Sequence, residues 1–276
     1  MPSLESNDII TYLRQNILET TSSLDKRFFE IRSLSKIESI CQPHHEDLPY
    51  KDTIIIAQTI GTGSCYCFCE NPILPDHILG QDAREVQTES RCIDIAILDS
   101  AYSCLPKTPD LFYHLEGNIN QKSEARANIV ISEVLGLILE ADINKPILTM
   151  VGAVGSILSG LSKYNIRIFA TDFDETIVGK AMGGTIIEHG KHTIERIRKS
   201  NIILVTGMTL ASRTLEEILD TVKHGNVRIV MFSETGGNFA PELTKLGVDR
   251  VISEEYPFYL SPGISTLRLY RKHSTS

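Results

Sequence analysis

The amino-acid sequence predicts an α/β protein, with a C-terminal Rossmann-like layer of parallel strands preceded by a smaller α+β domain. From Pro146 onward, short apolar strands alternate with helices, the pattern of βαβ units around a sheet that is buried on both faces. All six cysteines lie within the first 104 residues, so the two halves differ in composition. We expect one domain at 1–142 and a second at 143–276, with the boundary near Asp142–Pro146.

The N-terminal half begins with a predicted amphipathic helix over residues 7–19. Ile9, Leu13 and Ile17 recur at i, i+4 and i+8, which places them on one helix face. The other elements predicted in this half are strands at 52–60 and 65–69, joined as a hairpin by a turn at 61–64, and helices at 92–105 and 123–141.

The C-terminal half contains the alternation that predicts the parallel sheet. Its predicted strands lie at 147–151, 166–171, 201–205, 227–232, 250–252 and 266–270. The first predicted helix runs from the glycines after the first strand to about Lys163, and the others lie at 192–199, 212–222 and 241–246. Because the carboxyl ends of parallel strands meet at one edge of a sheet, we expect the functional groups there.

Composition and charge exclude several classes of protein. The 276 residues are 42% hydrophobic and 22% charged, with a net charge of −8, as in ordinary globular proteins. No stretch concentrates Lys and Arg for nucleic acid, and no apolar run approaches the ~20 residues that a membrane span needs. The first residues lack the basic start and apolar core of a signal peptide. We expect a soluble, cytoplasmic protein that binds a small molecule; whether it forms a homo-oligomer stays open.

The first strand end carries Gly152 and Gly155. Glycines between a strand and a helix let a ligand approach backbone N–H groups at the positive end of the helix dipole, so both are candidate cofactor-binding residues. The spacing is G-x-x-G and not the G-x-G-x-x-G dinucleotide fingerprint. The alternative is a tight turn that requires small residues.

The second strand end carries three acidic residues. Asp172 follows Gly152 by 20 residues, the interval at which a carboxylate meets an adenosine ribose in nucleotide-binding folds. Asp174 and Glu175 are candidate acid/base groups because they lie at the same edge. The alternative is that these side chains cap the next helix.

The third and fourth strand ends carry hydroxyl groups and one more carboxylate. Thr206, Gly207 and Thr209 form a predicted cradle for a phosphate or carboxylate, unless Thr209 is only a helix cap. Glu234, in the polar loop 233–238, is a third candidate acid/base residue, unless the loop is simply solvated.

Three cysteines alternate in the second predicted strand. Cys65, Cys67 and Cys69 would point to one face and could bind a soft metal such as Zn²⁺ or Cu⁺. Neighbouring positions on one face lie roughly 7 Å apart, however, which is wide for two thiolates to share one tetrahedral zinc ion. The alternative is that they pack as small apolar side chains.

Residues 201–216 and 240–249 resemble the heavy-metal-chelation family of Rossmann-like proteins. The first stretch is similar to the family's Thr-Gly-x-Thr segment, which is followed by a helix opening with Thr-Leu-Glu, here 214–216. Residues 93–101 are similar to its companion domain, an enolase-N-terminal-like α+β unit. The chain departs from the family at 153–156, in place of aromatic and proline residues, and at 232–237, in place of Gly-Pro-Ser. Both departures lie at the expected cleft, so substrate and reaction need not match those of relatives.

Two functions follow as expectations. The first is an adenosine-type cofactor, S-adenosylmethionine in preference to NAD, held in the interdomain cleft of an enzyme of the small-molecule transferase type. Such an enzyme would serve small-molecule metabolism or make a metal-chelating metabolite. The alternative is a soft-metal-binding protein that uses the cysteine-rich strand. No feature argues positively for a scaffold with an empty cleft.

Overall fold

The computed structural model describes residues 8–42, 50–68, 71–223 and 225–273. Its helices are α1 (Ile9–Thr20), α2 (Arg91–Tyr102), α3 (Ile119–Glu140), α4 (Gly155–Leu161), α5 (Thr193–Ile197), α6 (Met208–Ala211), α7 (Thr214–Val222) and α8 (Ala240–Lys245). Its strands are β1 (Ser33–Cys41), β2 (Tyr50–Gln58), β3 (Thr62–Tyr66), β4 (Leu111–Leu115), β5 (Ile147–Val151), β6 (Arg167–Asp172), β7 (Ala181–Met182), β8 (Thr185–His189), β9 (Ile202–Thr206), β10 (Arg228–Ser233), β11 (Arg250–Glu254) and β12 (Ser265–Arg271).

A large sheet of nine strands forms the centre of the fold, in the order β4-β12-β11-β10-β9-β5-β6-β8-β7. Strands β11, β10, β9, β5, β6 and β8 are parallel, whereas β12 pairs antiparallel with both β11 and β4. Helices α3 and α4 contribute to the apolar cluster on one face, and α5, α7 and α8 contribute to the cluster on the other. The predicted Rossmann-like α/β class is confirmed.

A smaller antiparallel sheet, β1-β2-β3, lies above the carboxyl ends of the parallel strands. One face, with Ile55 and Cys65, packs with α2 in the larger apolar cluster. The other face, with Ile54 and Ile56, packs on Phe258 from the loop after β11. The small sheet therefore covers the edge where we expect the functional groups.

The predicted domain boundary near Asp142 does not separate these two layers. Strand β4 and helix α3 precede it, yet β4 pairs with β12 at the edge of the large sheet, and α3 buries Val130 and Val134 in the large sheet's core. The apolar side of α3 needs the sheet as its partner, so the chain enters the large layer about 30 residues earlier than the change of pattern at Pro146 indicates.

Two smaller differences concern the predicted hairpin and the helix at 212–222. Strand β3 begins at Thr62 and ends at Tyr66, so Cys67 lies beyond the strand. The helix predicted at 212–222 begins instead at Thr214, because Arg213, with a φ of 60°, interrupts the helical backbone between α7 and the short α6 that precedes it. Within the described residues, no helix has the length and apolar character needed to cross a bilayer.

Candidate functional site

A topological switch point lies where the order of the parallel strands reverses. The chain passes from β5 to β6 and β8 on one side, and then returns to β9 on the other side of β5. Open parallel sheets bind ligands at such a switch point, beyond the carboxyl ends of the strands. We call the region formed by Gly152, Ala153, Asp172 and Thr206 the switch-point crevice.

Gly152 and Thr206 are in close contact across the switch-point crevice. Gly152 has a φ of +85°, and a Cβ atom there would lie 2.2 Å from the Oγ1 of Thr206. Both the backbone conformation and the contact require glycine. The Oγ1 of Thr206 is buried and has no hydrogen-bond partner among the described residues. Such a group is costly to leave unpaired, and a ligand would supply the missing partner.

The carboxylate of Asp172 lies at the end of β5, against the residue that follows Gly152. Its Oδ2 accepts a hydrogen bond from the N–H of Ala153 at 2.7 Å, and its Oδ1 accepts one from the N–H of Asp174 at 2.9 Å. The carboxylate thus ties the end of β5 to the end of β6. Each carboxylate oxygen can accept a second bond, so capacity remains for ligand hydroxyl groups.

The predicted cradle after β9 is partly satisfied by its own backbone. The Oγ1 of Thr209 donates to the carbonyl oxygen of Thr206 at 2.8 Å. A Cβ at Gly207 would lie 2.3 Å from the Oγ of Ser233, so this glycine serves close packing. Gly155, also predicted as a cofactor ligand, is the first residue of the two-turn helix α4. Of the two threonine hydroxyls, the one of Thr206 is left for a ligand.

Glu234 belongs to a buried polar cluster that sequence reasoning did not assemble. Its Oε1 accepts a hydrogen bond from the Nη1 of Arg126 on α3 at 2.5 Å. The same Nη1 lies 3.3 Å from the Oε2 of Glu254, and the guanidinium carbon lies 3.5 Å from the ring centroid of Tyr259. We call the group the Arg126 cluster; its members are Asp52, Tyr66, Arg126, Glu234, Glu254 and Tyr259.

The electrostatics of the Arg126 cluster favour a retained proton. Burial raises the pKa of Glu234 to about 8; Arg126 opposes this shift, and the charges of Glu254 and Asp52 add to it. Burial also raises the pKa of Asp52 to about 6. One buried cation thus faces more carboxylates than it can neutralise, which favours a proton retained on one of them.

The other two candidate acid/base residues lie elsewhere. The Oδ1 of Asp174 accepts a hydrogen bond from the N–H of Thr176, and the exposed Glu175 lies 3.1 Å from the Nε2 of His189. Strands β6 and β10 are separated by β5 and β9, so their ends are about 14 Å apart. The structure therefore does not bring Asp174 and Glu175 together with Glu234.

The cysteines do not form the predicted row along one strand. The Sγ of Cys65 donates to the carbonyl oxygen of Tyr66 at 3.2 Å, while the Sγ of Cys67 lies 2.9 Å from the Sγ of Cys92 on α2. Cys69 is outside the described residues. Across the described ranges, no group of three or more His, Cys, Asp or Glu side chains is arranged to hold a metal ion.

Two of the functional residues above were missed for different reasons. Arg126 occupies the position four residues before Val130, on the apolar side of α3, and a charge in such a place signals a buried ion pair. Cys92 is separated from Cys67 by 25 residues, and nothing in the local pattern pairs them.

Comparison with known proteins confirms the resemblance seen in the sequence. Residues 137–251 match the model of a family described as "Putative heavy-metal chelation". A protein of unknown function from this family in Desulfitobacterium hafniense has a similar structure, with 12% identity, a TM-score of 0.53, and coverage of 92% of this chain and 99% of that one. At this identity the likeness shows a shared fold. A family member from Pyrococcus horikoshii gives 12% identity and a TM-score of 0.49, covering 95% of this chain and 99% of that one. No curated protein matches the chain significantly.

Proposed function

We propose that this protein binds an adenosine-type cofactor in the switch-point crevice and is an enzyme of small-molecule metabolism. The observation that carries the proposal is the buried Oγ1 of Thr206, which lacks a hydrogen-bond partner among the described residues and lies against Gly152. A ligand hydroxyl or amine that reached this oxygen would pair with it, and the missing side chain of Gly152 is what accommodates the threonine there.

S-adenosylmethionine is preferred over NAD because of the loop after β5. The G-x-x-G spacing of Gly152 and Gly155 lacks the glycine pattern that brings a pyrophosphate against the backbone. S-adenosylmethionine has a ribose but no pyrophosphate. The remaining acceptor positions of Asp172 would bind the ribose hydroxyls, which matches its position at the end of β6.

Glu234 is the proposed general acid. Burial and the charges of Glu254 and Asp52 raise its pKa to about 8, which favours the protonated form at neutral pH, and it follows β10, the strand next to β9. A proton donor works best when its pKa is near the working pH. Asp174 and Glu175 are exposed and distant from Glu234, and the proposal gives them no part in proton transfer.

Isothermal titration calorimetry with S-adenosylmethionine, NAD and adenosine tests the proposal. Thr206→Val keeps the shape and removes the hydroxyl, and it should weaken binding about tenfold, equivalent to ~1.4 kcal/mol. Thr221→Val on α7 is the control, since that hydroxyl is exposed and bonds only to its own helix. The proposal fails if none of the three ligands gives a heat of binding, or if the Thr206→Val and Thr221→Val variants bind the ligand with equal affinity.

Soft-metal binding is a second candidate, because the sulfurs of Cys67 and Cys92 are adjacent. Two thiolates bind a two-coordinate Cu⁺ ion when their sulfurs move apart to admit it, and the matched family's description names heavy-metal chelation. Native mass spectrometry after Cu⁺ titration should show one tightly bound ion, lost in Cys67→Ser and kept in Cys104→Ser. Equal retention by both serine variants would place the ion elsewhere.

A further inference from the structure

A second cavity, of about 400 Å³, lies between the small sheet and the β11-β12-β4 side of the large sheet. It is separate from the switch-point crevice, because β10 and β11 lie between β9 and β12 in the sheet. Its volume falls within the range of small-molecule sites. The charged side chains lining this cavity are Lys107, Glu255 and Arg268, which give it a net charge of +1.

Both cations are anchored by the protein. The Nζ of Lys107 donates to the Oδ1 of Asn238 at 2.6 Å, and Arg268 forms an ion pair with Glu255. Lys107 keeps further donor capacity, because an ammonium group has three N–H bonds. The guanidinium and the ammonium are therefore held in place at the wall of the cavity.

The two cations keep N–H donors that an anion could use. The Nε of Arg268 is buried without a hydrogen-bond partner among the described residues, and the hydroxyl of Tyr270 lies near this guanidinium. Burial lowers the pKa of Lys107 and the positive charge of Arg268 adds to this effect, whereas the charges of Asp99 and Glu255 oppose it. An anion in the cavity would accept hydrogen bonds from the ammonium and the guanidinium and offset the repulsion between them.

The rest of the wall is suited to an apolar body. Leu105, Pro109, Tyr256 and Phe112 line the cavity, and the ring of Phe112 is 56% exposed. The guanidinium carbon of Arg268 lies 5.9 Å from the centroid of that ring. A flat ligand placed on Phe112 would thus have its charged end beside Arg268.

We propose that this cavity binds a small organic carboxylate with a planar body. The carboxylate accepts hydrogen bonds from Arg268 and Lys107, and the planar part packs on Phe112. The site does not depend on the cofactor proposed for the switch-point crevice, and either can fail without the other.

Titration calorimetry of the full chain with benzoate and with inorganic phosphate tests this site. Benzoate should bind saturably and more tightly than phosphate, because it adds contact with Phe112. Arg268→Gln should weaken benzoate binding at least tenfold. The matched control is Arg228→Gln. Arg228 is also paired with a carboxylate, that of Asp249, but it lies at the start of β10, away from the carboxyl ends of the parallel strands. The affinity of the Arg228→Gln variant for benzoate should stay within twofold of that of the unmodified protein.

Phe112→Ala is a second test variant, for use if Arg268→Gln fails to fold. It should fold normally, because a side chain that is half exposed contributes little to the core. It should weaken benzoate binding about fivefold and leave phosphate binding unchanged. The proposal is overturned if benzoate does not saturate the unmodified protein, if phosphate binds as tightly as benzoate, or if the Arg228 and Arg268 variants behave alike.

Discussion

The switch-point crevice and the Arg126 cluster lie at neighbouring strand ends of one sheet, yet they are built from different groups. The crevice consists of backbone N–H groups, one glycine, one threonine hydroxyl and the carboxylate of Asp172, contributed by strand ends whose spacing in the sequence is regular. The cluster consists of carboxyl, guanidinium and tyrosine side chains from β2, β3, β11, α3 and the loops after β10 and β11. Local sequence motifs can therefore specify the first, whereas only the tertiary fold assembles the second.

The largest expected effect comes from removing the cation of the Arg126 cluster. Arg126→Met leaves Glu234 and Glu254 buried without their partner, which should lower the free energy of unfolding by about 3–5 kcal/mol. Urea denaturation at pH 7 measures it, with the exposed Arg167→Met as control. Adding Glu234→Gln to Arg126→Met should restore part of the loss. A loss below about 1 kcal/mol would mean that the cluster is not electrostatically coupled.

A smaller effect is expected in the switch-point crevice from Gly152→Ala. The variant combines an unfavourable φ with a Cβ only 2.2 Å from the Oγ1 of Thr206, so we expect a loss of about 2–3 kcal/mol. Gly179→Ala is the matched control, because its φ is +81° but a Cβ there meets no atom within 4 Å; it should lose about 1 kcal/mol. Thermal or urea unfolding of both variants separates backbone strain from the contact. Equal losses would show that the contact with Thr206 relaxes freely.

The pH dependence of stability also distinguishes the Arg126 cluster from the switch-point crevice. Glu234 binds its proton more tightly in the folded protein, so its contribution to stability is complete below pH 4.5 and is lost as the pH rises through about 8. The slope for one proton is at most about 1.4 kcal/mol per pH unit. Asp52 and Asp99, with pKa values raised to about 6 and about 7, act in the same direction.

Urea unfolding between pH 5 and pH 8 measures this dependence. Glu234→Gln should make the decline shallower by up to one proton's slope, whereas Glu217→Gln, at an exposed position on α7, should leave it unchanged. If the free energy of unfolding of the Glu234→Gln variant declines with pH as steeply as that of the unmodified protein, the retained proton belongs to a different carboxyl group.

Most strands of the large sheet could be predicted from the sequence because the patterns that indicate them are local. The apolar strands after Pro146 are short, buried on both faces and separated by helices, and the interval from Gly152 to Asp172 places those two residues side by side. Such relations depend on strand order and chain length, both of which the pattern determines.

The missed features depend on contacts between distant parts of the chain. Strand β4 (Leu111–Leu115) has an apolar and aromatic sequence, but it precedes the change of pattern at Pro146 and pairs with the distant β12, and it was not predicted. The ion pairs of Arg126 can be recognised only in the folded protein, where α3 lies against the ends of β10 and β11. The pairing of Cys67 with Cys92 likewise requires α2 to pack against the small sheet.

The position of β12 has a consequence for synthesis of the chain on the ribosome. Among the described residues, strand β4 joins the large sheet through β12 (Ser265–Arg271), which follows it by about 150 residues. Since a chain emerges from its N-terminus, β4 must wait for all of this intervening chain before these hydrogen bonds can form. The nascent protein thus carries an unpaired β4 until β12 has been made, and this edge of the sheet closes after the parallel strands have emerged.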